Sequence, residues 1–363
     1  ADADMKNKRI IFGFVLSIFF TYLIVWKPHP SEIFSGDSSF LNAFFGDSRL
    51  EFSKIWEHTL KASPFWLMIC LILTPLHVLV RSHRWSLLLR PVVKLKLIDS
   101  FSLQTLGYFA STVFPLRIGE VVRAILLGKK AKIKNSTAIA NVVLERLIDG
   151  LSLLGVFVIV GIIFQSDKIG MFREGVLIMA GLSMIALSVV VYFSFARAPF
   201  GGVTGKILSY LPDVMRERII EVLKGFIAGF SMLKSTRHYP LVTLETILIW
   251  VLYTAQEFSV ILAFGFHKSA PLIAEAPLTA ALVILVINAV ALSVPSAPGG
   301  LGTFHAASIF GLGLFGIAED PAVGFALVLH AITTGYFVLA GILFMWREGL
   351  EIGQLKNLGN GEI

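Results

Sequence analysis

Runs of apolar residues about as long as a bilayer core is thick constrain this fold more than any other sequence feature. About 20 apolar residues in a helix span a hydrocarbon core of roughly 30 Å. Hydrophobic residues make up 56% of the chain and charged residues 15%, which is outside the range of soluble globular domains. The sequence therefore predicts an all-α polytopic membrane protein with about six full transmembrane helices. The predicted spans are approximately 10–26, 64–80, 138–164, 175–195, 240–266 and 320–346.

Two further apolar stretches are interrupted by proline and glycine near their middles. They cover residues 98–127, with "TVFPLRIGE", and residues 277–317, with "SVPSAPGGLGTFH". Backbone that leaves a helix at membrane depth exposes unpaired N–H and C=O groups, which is tolerated only under protein cover or in a water-filled cavity. We therefore expect two re-entrant hairpins built from broken helices.

Lysine and arginine concentrate in the loops predicted to be cytoplasmic, as the positive-inside rule requires. Basic residues lie at the N-terminus, in 81–96 and in "GKKAKIK" at 128–134. Residues 197–237 mix basic and acidic side chains, which predicts a cytoplasmic amphipathic connector. The stretches 30–60, which is rather acidic, and 165–174 and 267–276, which have no excess of Lys and Arg, are then external. Both termini are expected in the cytoplasm, in a prokaryotic inner (plasma) membrane.

This topology relates two parts of a single transmembrane domain, residues 1–363, by inversion. A span, a hairpin and a second span form the first repeat at 64–164, and the same order forms the second repeat at 240–346. The two hairpins open toward opposite sides of the membrane. Inverted repeats of this kind are typical of transporters whose substrate site lies where broken helices meet near the midplane.

Charged side chains follow the first break at a helical spacing. Arg117, Glu120 and Arg123 recur every three residues and so share one helix face. The next span carries Glu145, Arg146 and Asp149. Such groups cost some kcal/mol each at membrane depth unless they are paired or hydrated. Two interpretations stay open: a salt-bridge network that fastens the hairpin, or an arginine left to grip a lipid phosphate.

The second break contains no charged side chain, and its candidate anion-binding groups are backbone N–H groups. Pro298 is expected to start a half-helix whose free N–H groups point into the break, where they attract anions. Gly299 and Gly300 permit close approach, either of a headgroup or of another helix. On the first interpretation, Gly300→Leu is expected to harm transport more than folding.

Several other membrane residues are open to a packing or a functional role. Trp85 beside Arg84 is interpreted as an interfacial anchor. Histidines His305 and His330 are candidate proton carriers or headgroup contacts, and Glu257 and Asn288 have the same ambiguity. The predicted substrate-binding residues are Pro115, Arg117, Gly119, Glu120, Arg123, Glu145, Arg146, Asp149, Pro298, Gly299, Gly300, Gly302 and His305.

Four segments carry a family resemblance. "HRWSLLLR", "FPLRIGEVVRAILL", "NVVLERLIDGLSLL" and "VPSAPGGLGTFHAA" resemble the transmembrane domain of the lysylphosphatidylglycerol synthase family. The resemblance implies a flippase-like domain, which in fused members moves an aminoacylated phospholipid made by a soluble synthase domain. Only a short polar tail follows Trp346 here, so we expect no aminoacyl transfer, and the lipid substrate stays open.

The expected function is a lipid flippase that moves a polar or charged-headgroup lipid: a phospholipid, an aminoacyl-lipid or a glycolipid. The alternatives are a membrane-embedded transferase acting on a lipid-linked substrate and a lipid-binding regulator of a separate lipid-modifying synthase. The net charge of +7 resides in orienting loops, so it indicates anionic or zwitterionic lipid partners and no nucleic acid.

No enzymatic, metal or cofactor motif is visible in the sequence. Without a P-loop, direct use of ATP is not expected. Cys70 has no cysteine partner, which excludes a disulfide and predicts a packing role. Headgroup, direction, energy coupling and oligomeric state are not fixed by the sequence.

Overall fold

The computed structural model describes residues 50–114, 118–163, 238–293 and 297–360, with a few isolated positions before residue 50. This part is helical apart from a two-residue antiparallel bridge, in which Trp26 of β1 (Trp26–Lys27) lies opposite Ser48 of β2 (Asp47–Ser48). The helices are α1 (Phe52–Lys61), α2 (Pro64–Leu89), α3 (Leu97–Val113), α4 (Gly119–Ala131), α5 (Asn135–Ile163), α6 (Tyr239–Ala263), α7 (Phe266–Ser269), α8 (Pro271–Glu275), α9 (Pro277–Ala291), α10 (Thr303–Leu314), α11 (Glu319–Glu348) and α12 (Ile352–Asn360).

Three of the described helices, α2, α6 and α11, are long and apolar enough to cross a membrane. They fall on the spans predicted at 64–80, 240–266 and 320–346. The span predicted at 138–164 falls on α5, a helix of 29 residues. The spans predicted at 10–26 and 175–195, and the connector at 197–237, lie outside the described residues. The helical membrane fold is confirmed, while the six-span count and the inverted repeats stay predictions.

Each interrupted apolar stretch consists of two helices separated near its proline and glycine residues. The first comprises α3 and α4, of 17 and 13 residues. The second comprises α9 and α10, of 15 and 12 residues, with a short 3-10 turn at Pro298–Gly300 between them. At 1.5 Å per residue, each of these helices is shorter than a hydrocarbon core of roughly 30 Å.

Helix α2 continues nine residues past the end of its predicted span, through Leu89. The interpretation of 81–96 as a basic loop is therefore wrong for its first half. The sequence holds neither glycine nor proline between Leu76 and Pro91, so nothing in it terminates the helix earlier. Arg81 and Arg84 consequently lie on the helix, and both are buried.

The chain forms two compact units. The first contains residues up to His77, Tyr108–Gly119 and Trp250–Ile352. The second contains Val78–Gly107, Glu120–Ile249 and the C-terminal residues from Gly353. Each unit draws residues from both predicted repeats.

Each unit has its own apolar contacts. In the first unit, Leu50 and Ile55 pack with Val323 and Ile309. In the second unit, Leu87 and Leu88 pack with Val242 and Ile148. These contacts join α1 to α10 and α11 in the first unit, and the end of α2 to α5 and the start of α6 in the second.

A glycine contact within the first unit fixes the approach of α3 to α11. A β-carbon added at Gly341 would lie 2.4 Å from the Cβ of Phe109, which is buried. That atom belongs to the base of a packed side chain and has little freedom to move. Glycine at this position is therefore required for the close helix contact.

We expect Gly341→Ala to destabilise the protein by about 1–3 kcal/mol, because the added methyl group overpacks the contact with Phe109. The measurement is thermal unfolding of the purified protein in detergent. Gly335→Ala is the matched control on the same helix, since a β-carbon at Gly335 would meet nothing within 4 Å. Equal melting temperatures for the two variants would contradict the contact.

Candidate functional site

Helices α2, α4 and α5 bring a set of charged side chains together in the second unit, here called the arginine cluster. Four guanidinium groups meet three carboxylates through ion pairs of 4.0 Å or less. Its members are Arg81 and Arg84 of α2, Glu120 and Arg123 of α4, and Glu145, Arg146 and Asp149 of α5.

Glu145 lies at the centre of the arginine cluster with its side chain fully buried. Its Oε2 is 2.6 Å from Nη2 of Arg123. Its Oε1 is 3.0 Å from Nη2 of Arg81, 3.7 Å from Arg84 and 3.6 Å from Arg146. One carboxylate therefore joins α2, α4 and α5.

Asp149 occupies the next turn of α5 and holds the same two arginines of α2. It accepts hydrogen bonds from both Arg81 and Arg84. Arg84 also donates through Nη1 to the hydroxyl of Thr246 on α6, at 3.0 Å. The spacing of Glu145 and Asp149 places them on one face of α5, so two carboxylates fix two arginines of a facing helix.

Arg123 is enclosed by polar and aromatic neighbours as well as by Glu145. It donates to the side chain of Gln104, and its guanidinium carbon lies 4.7 Å from the ring centroid of Trp85. The Trp85 indole donates to Asn141 at 2.6 Å. Trp85 is completely buried, so its interpretation as an interfacial anchor is wrong. Its ring provides a cation–π partner inside the protein.

Arg146 differs from the other three arginines in its exposure. Its side chain is 37% exposed, whereas those of Arg81, Arg84 and Arg123 are at most 6% exposed. Its distances to carboxylate oxygens of Glu120, Glu145 and Asp149 are 3.2, 3.6 and 3.6 Å, beyond the 2.7–2.9 Å typical of strong charged hydrogen bonds. Arg146 is thus the accessible and loosely held member of the arginine cluster.

The charge balance of the cluster favours an anion. Four cationic groups face three carboxylates among the described residues, and Glu120, the third, is itself 47% exposed. A guanidinium presents a planar fork of N–H donors that matches a phosphate or a carboxylate. The arginine cluster can therefore accept one more anionic group at its exposed edge.

A basic cavity lies just beyond the arginine cluster at the end of α2, in the same unit. Its volume is about 560 Å³, within the range of small-molecule pockets. Three of its lining residues are basic and none is acidic. The lining residues are Ser86, Arg90, Pro91, Lys94, Leu95 and His238.

The glycine break between α9 and α10 lies against the end of α3, within the first unit. Gly299 has a φ of 67°, and a β-carbon there would lie 3.6 Å from the carbonyl oxygen of Thr112. Thr112 precedes the Pro115 break by three residues. Pro115 and Arg117 lie outside the described residues, and Gly119 is buried at the start of α4. The second break therefore lies close to the start of the first.

Gly300 is required by the fold of this turn. Its φ is 75°, in the left-handed region, and a β-carbon would lie 2.6 Å from Cδ2 of Leu292. A leucine here would be strained in its backbone and would clash. Gly300→Leu is therefore expected to strain the fold as well, while its effect on transport stays a prediction. Gly302, also at positive φ, precedes the first residue of α10.

The structure brings together the two histidines that the sequence marked. The rings of His305 and His330 are 4.8 Å apart and perpendicular. His330 Nε2 donates to the carbonyl oxygen of Gly299 at 3.0 Å, which holds the glycine turn. The histidines, with Pro298, Gly299, Gly300 and Gly302, belong to the first unit, whereas Glu120, Arg123, Glu145, Arg146 and Asp149 belong to the second.

Arg81 and Arg84 are the cluster members that the sequence interpretation missed. The sequence pattern places them in a cytoplasmic loop, because basic residues commonly follow the end of a span. Their position could have been predicted from two features of the sequence. Arg81 and Arg84 are three residues apart in a stretch without a helix breaker, and the span at 138–164 carries two acids four residues apart. The predicted network between Arg123 and Glu145 is confirmed by their ion pair.

Comparison with known proteins gives one family and one relative. The family model described as "Lysylphosphatidylglycerol synthase TM region" matches residues 10–341. A "UPF0104 membrane protein" of Methanothermobacter thermautotrophicus is 23% identical over 307 residues, which covers 81% of this chain and 88% of that protein. No solved structure matches.

We expect Glu145→Gln to destabilise the protein by about 3–5 kcal/mol, because it leaves buried guanidinium groups without their central counter-charge. Glu120→Gln is the matched control. Its carboxylate is half-exposed and, in the described part of the chain, pairs with Arg146 alone, so the expected change is below about 1 kcal/mol. Denaturant unfolding in detergent micelles measures both. A loss as small for Glu145→Gln as for Glu120→Gln would contradict the central role of Glu145.

Proposed function

Because the chain belongs to the lysylphosphatidylglycerol synthase transmembrane-region family, we propose that this membrane protein is a lipid flippase. It moves a lipid with a polar, phosphate-bearing headgroup between the two leaflets of the cell membrane. The observation that carries this proposal is the partly exposed side chain of Arg146, which is held by long contacts at the edge of a buried cluster. Among the described residues, this cluster has four arginines and three carboxylates.

Arg146 is proposed to bind the lipid phosphate. A phosphate at this position would compete with Glu120, which lies 3.2 Å from Arg146 and is itself exposed. The other three arginines are held by Glu145, Asp149 and Gln104, so they supply positive potential without having to move. Arg146 would exchange its contact with the Glu120 carboxylate for a bidentate contact with the lipid phosphate. This exchange requires little structural change.

The basic cavity supports an anionic headgroup. Arg90 and Lys94 line it together with His238, and each favours a phosphate or carboxylate. The cavity begins at Ser86, two residues after Arg84 along α2. A headgroup that enters there would meet positive potential before it reaches the arginine cluster.

The broken helices are proposed to form the moving part. Half-helices that end at membrane depth are typical of transporters that open alternately to the two sides. The contact of Gly299 with the end of α3 is what the proposed meeting of the two breaks requires. Arg117, at the first break, stays a candidate phosphate ligand on sequence grounds.

The direct test of function is lipid movement in proteoliposomes. The protein is reconstituted with trace amounts of tail-labelled fluorescent phosphatidylglycerol, phosphatidylethanolamine or phosphatidylcholine, and an impermeant reductant bleaches the outer leaflet. Protein-dependent bleaching beyond the outer-leaflet fraction supports the proposal, with the anionic lipid moving fastest. No bleaching beyond that of protein-free vesicles, for any of the three lipids, contradicts it.

Arg146→Gln is expected to slow lipid movement by about tenfold or more, which corresponds to the loss of one charged hydrogen bond of about 1.5–3 kcal/mol. Its melting temperature should stay near that of the wild type, since the side chain is partly exposed and its contacts are long. Glu120→Gln is the control, and we expect it to retain lipid movement because it removes only the competing carboxylate. Wild-type rates in Arg146→Gln would exclude the phosphate role.

The proposed topology predicts opposite labelling at two sites in a Cys70→Ala background. Glu275→Cys lies in the external 267–276 stretch and should react with an impermeant maleimide in intact cells. Ala131→Cys lies in the internal 128–135 stretch and should react only after permeabilisation. Labelling of position 131 in intact cells would end the inverted-repeat arrangement.

A further inference from the structure

A second buried carboxyl group, Glu257, lies in the first unit and has no cationic partner among the described residues. It is on α6 and only 5% exposed. Its Oε1 accepts a hydrogen bond from the amide of Asn288 on α9, at 3.1 Å. Its Oε2 is buried and has no hydrogen-bond partner among the described residues. An ionised carboxylate in that position would lack a counter-charge.

The other acidic side chains buried in the described part of the chain each contact a basic group. Glu145 has its arginines, and Glu245, on the same helix as Glu257, lies 2.5 Å from Nδ1 of His83. Burying an unpaired carboxylate is far more costly than burying the neutral acid. The surroundings of Glu257 therefore suit a carboxyl that carries a proton.

A fixed hydrogen-bond chain orients the donor that faces Glu257. Ser308 on α10 donates to Oδ1 of Asn288 at 3.0 Å. This contact turns the amide nitrogen of Asn288 toward Oε1 of Glu257. The amide can donate to that oxygen whether the carboxyl is neutral or ionised, so the contact tolerates both states. The proton itself would reside on Oε2.

The titratable groups on the helices around Glu257 do not supply it with a counter-charge in the described part of the structure. Helix α2 contributes Cys70, which is buried, and His77, whose ring packs against Tyr253 one turn earlier on α6. Helix α9 contributes no titratable residue, and α10 contributes His305, three residues before Ser308. None of these groups forms an ion pair with Glu257 in the described part of the structure.

We propose that Glu257 is a proton-binding site within the membrane and that its protonation couples lipid movement to a proton gradient. Acidic residues buried in membrane helices are found in the proton relays of pumps and transporters. The hydrogen-bond chain from α10 through α9 reaches Glu257 on α6, so a change in its charge acts on both half-helices of the second break. The coupling rests on the proposed function, whereas the proton site does not.

The proton site is tested by infrared spectroscopy of the purified protein. The C=O stretching band of protonated carboxyls is followed through pH values at which surface carboxylates are already ionised. We expect a titrating band that Glu257→Gln removes and that Glu257→Asp retains at a shifted frequency. Glu275→Gln is the control, since Glu275 is exposed and should not contribute. A band unchanged in Glu257→Gln overturns the proton site.

The coupling is tested in proteoliposomes with fluorescent phosphatidylglycerol and an imposed pH difference. A tenfold proton gradient supplies about 1.4 kcal/mol per proton, so wild-type rates should differ up to about tenfold between the two gradient directions. Glu257→Gln should move lipid equally under both directions, with an unchanged melting temperature because glutamine replaces the neutral acid closely. Equal wild-type rates, or a retained difference in Glu257→Gln, overturn the coupling. Absence of any wild-type lipid movement contradicts the proposed function instead, and the infrared band then decides the proton site by itself.

Discussion

The contacts of Glu145 are the interaction on which the second unit depends. A fully buried carboxylate is tolerated only because guanidinium groups from two neighbouring helices reach it, at 2.6 Å from Arg123 and 3.0 Å from Arg81. Those contacts fix α2 and α4 on α5, and Asp149 repeats the attachment one turn later. Removal of Glu145 alone would leave buried guanidinium groups without their counter-charge, so the attachment of these helices depends on this one carboxylate.

The four arginines of the cluster differ in their exposure and in their distances to the carboxylates. Three are buried and held at short range, which fixes their charge in place before any ligand arrives. Arg146 is partly exposed and is held at longer range by three carboxylates, so none of these contacts fixes it alone. Fixed positive charge around one adjustable donor lowers the reorganisation needed to bind an anion, because only one side chain has to move.

The sequence predicted the helices well where apolar length and helix breakers decide them. The breaks in the stretches at 98–127 and 277–317 followed from their proline and glycine residues, and the pairing of Arg123 with Glu145 was part of one of the two interpretations left open. The contact between the rings of His305 and His330 was not specified by the sequence. The sequence interpretation was wrong for Arg81, Arg84 and Trp85. A basic segment can be a cytoplasmic loop or the end of a helix, and the sequence pattern is similar in both cases. Only the acidic residues of the facing helix α5 show that these arginines lie on a helix. The closeness of Gly300 to Leu292 could not be predicted for a related reason, because the two residues lie on either side of a break whose backbone path the sequence does not specify.

Glu145 and Glu257 show how position in the fold sets what a buried acid can do. Glu145 has four arginines in reach, so its charge is fixed and its role is structural. Among the described residues, the Glu257 carboxyl accepts a hydrogen bond only from the Asn288 amide. The dipole of that amide is too weak to replace a full counter-charge in a medium of low polarity. The free-energy difference between the neutral and the ionised carboxyl then depends on whether water or another polar group reaches Oε2. A carboxyl whose charge depends on access is suited to report which side of a membrane a moving helix faces.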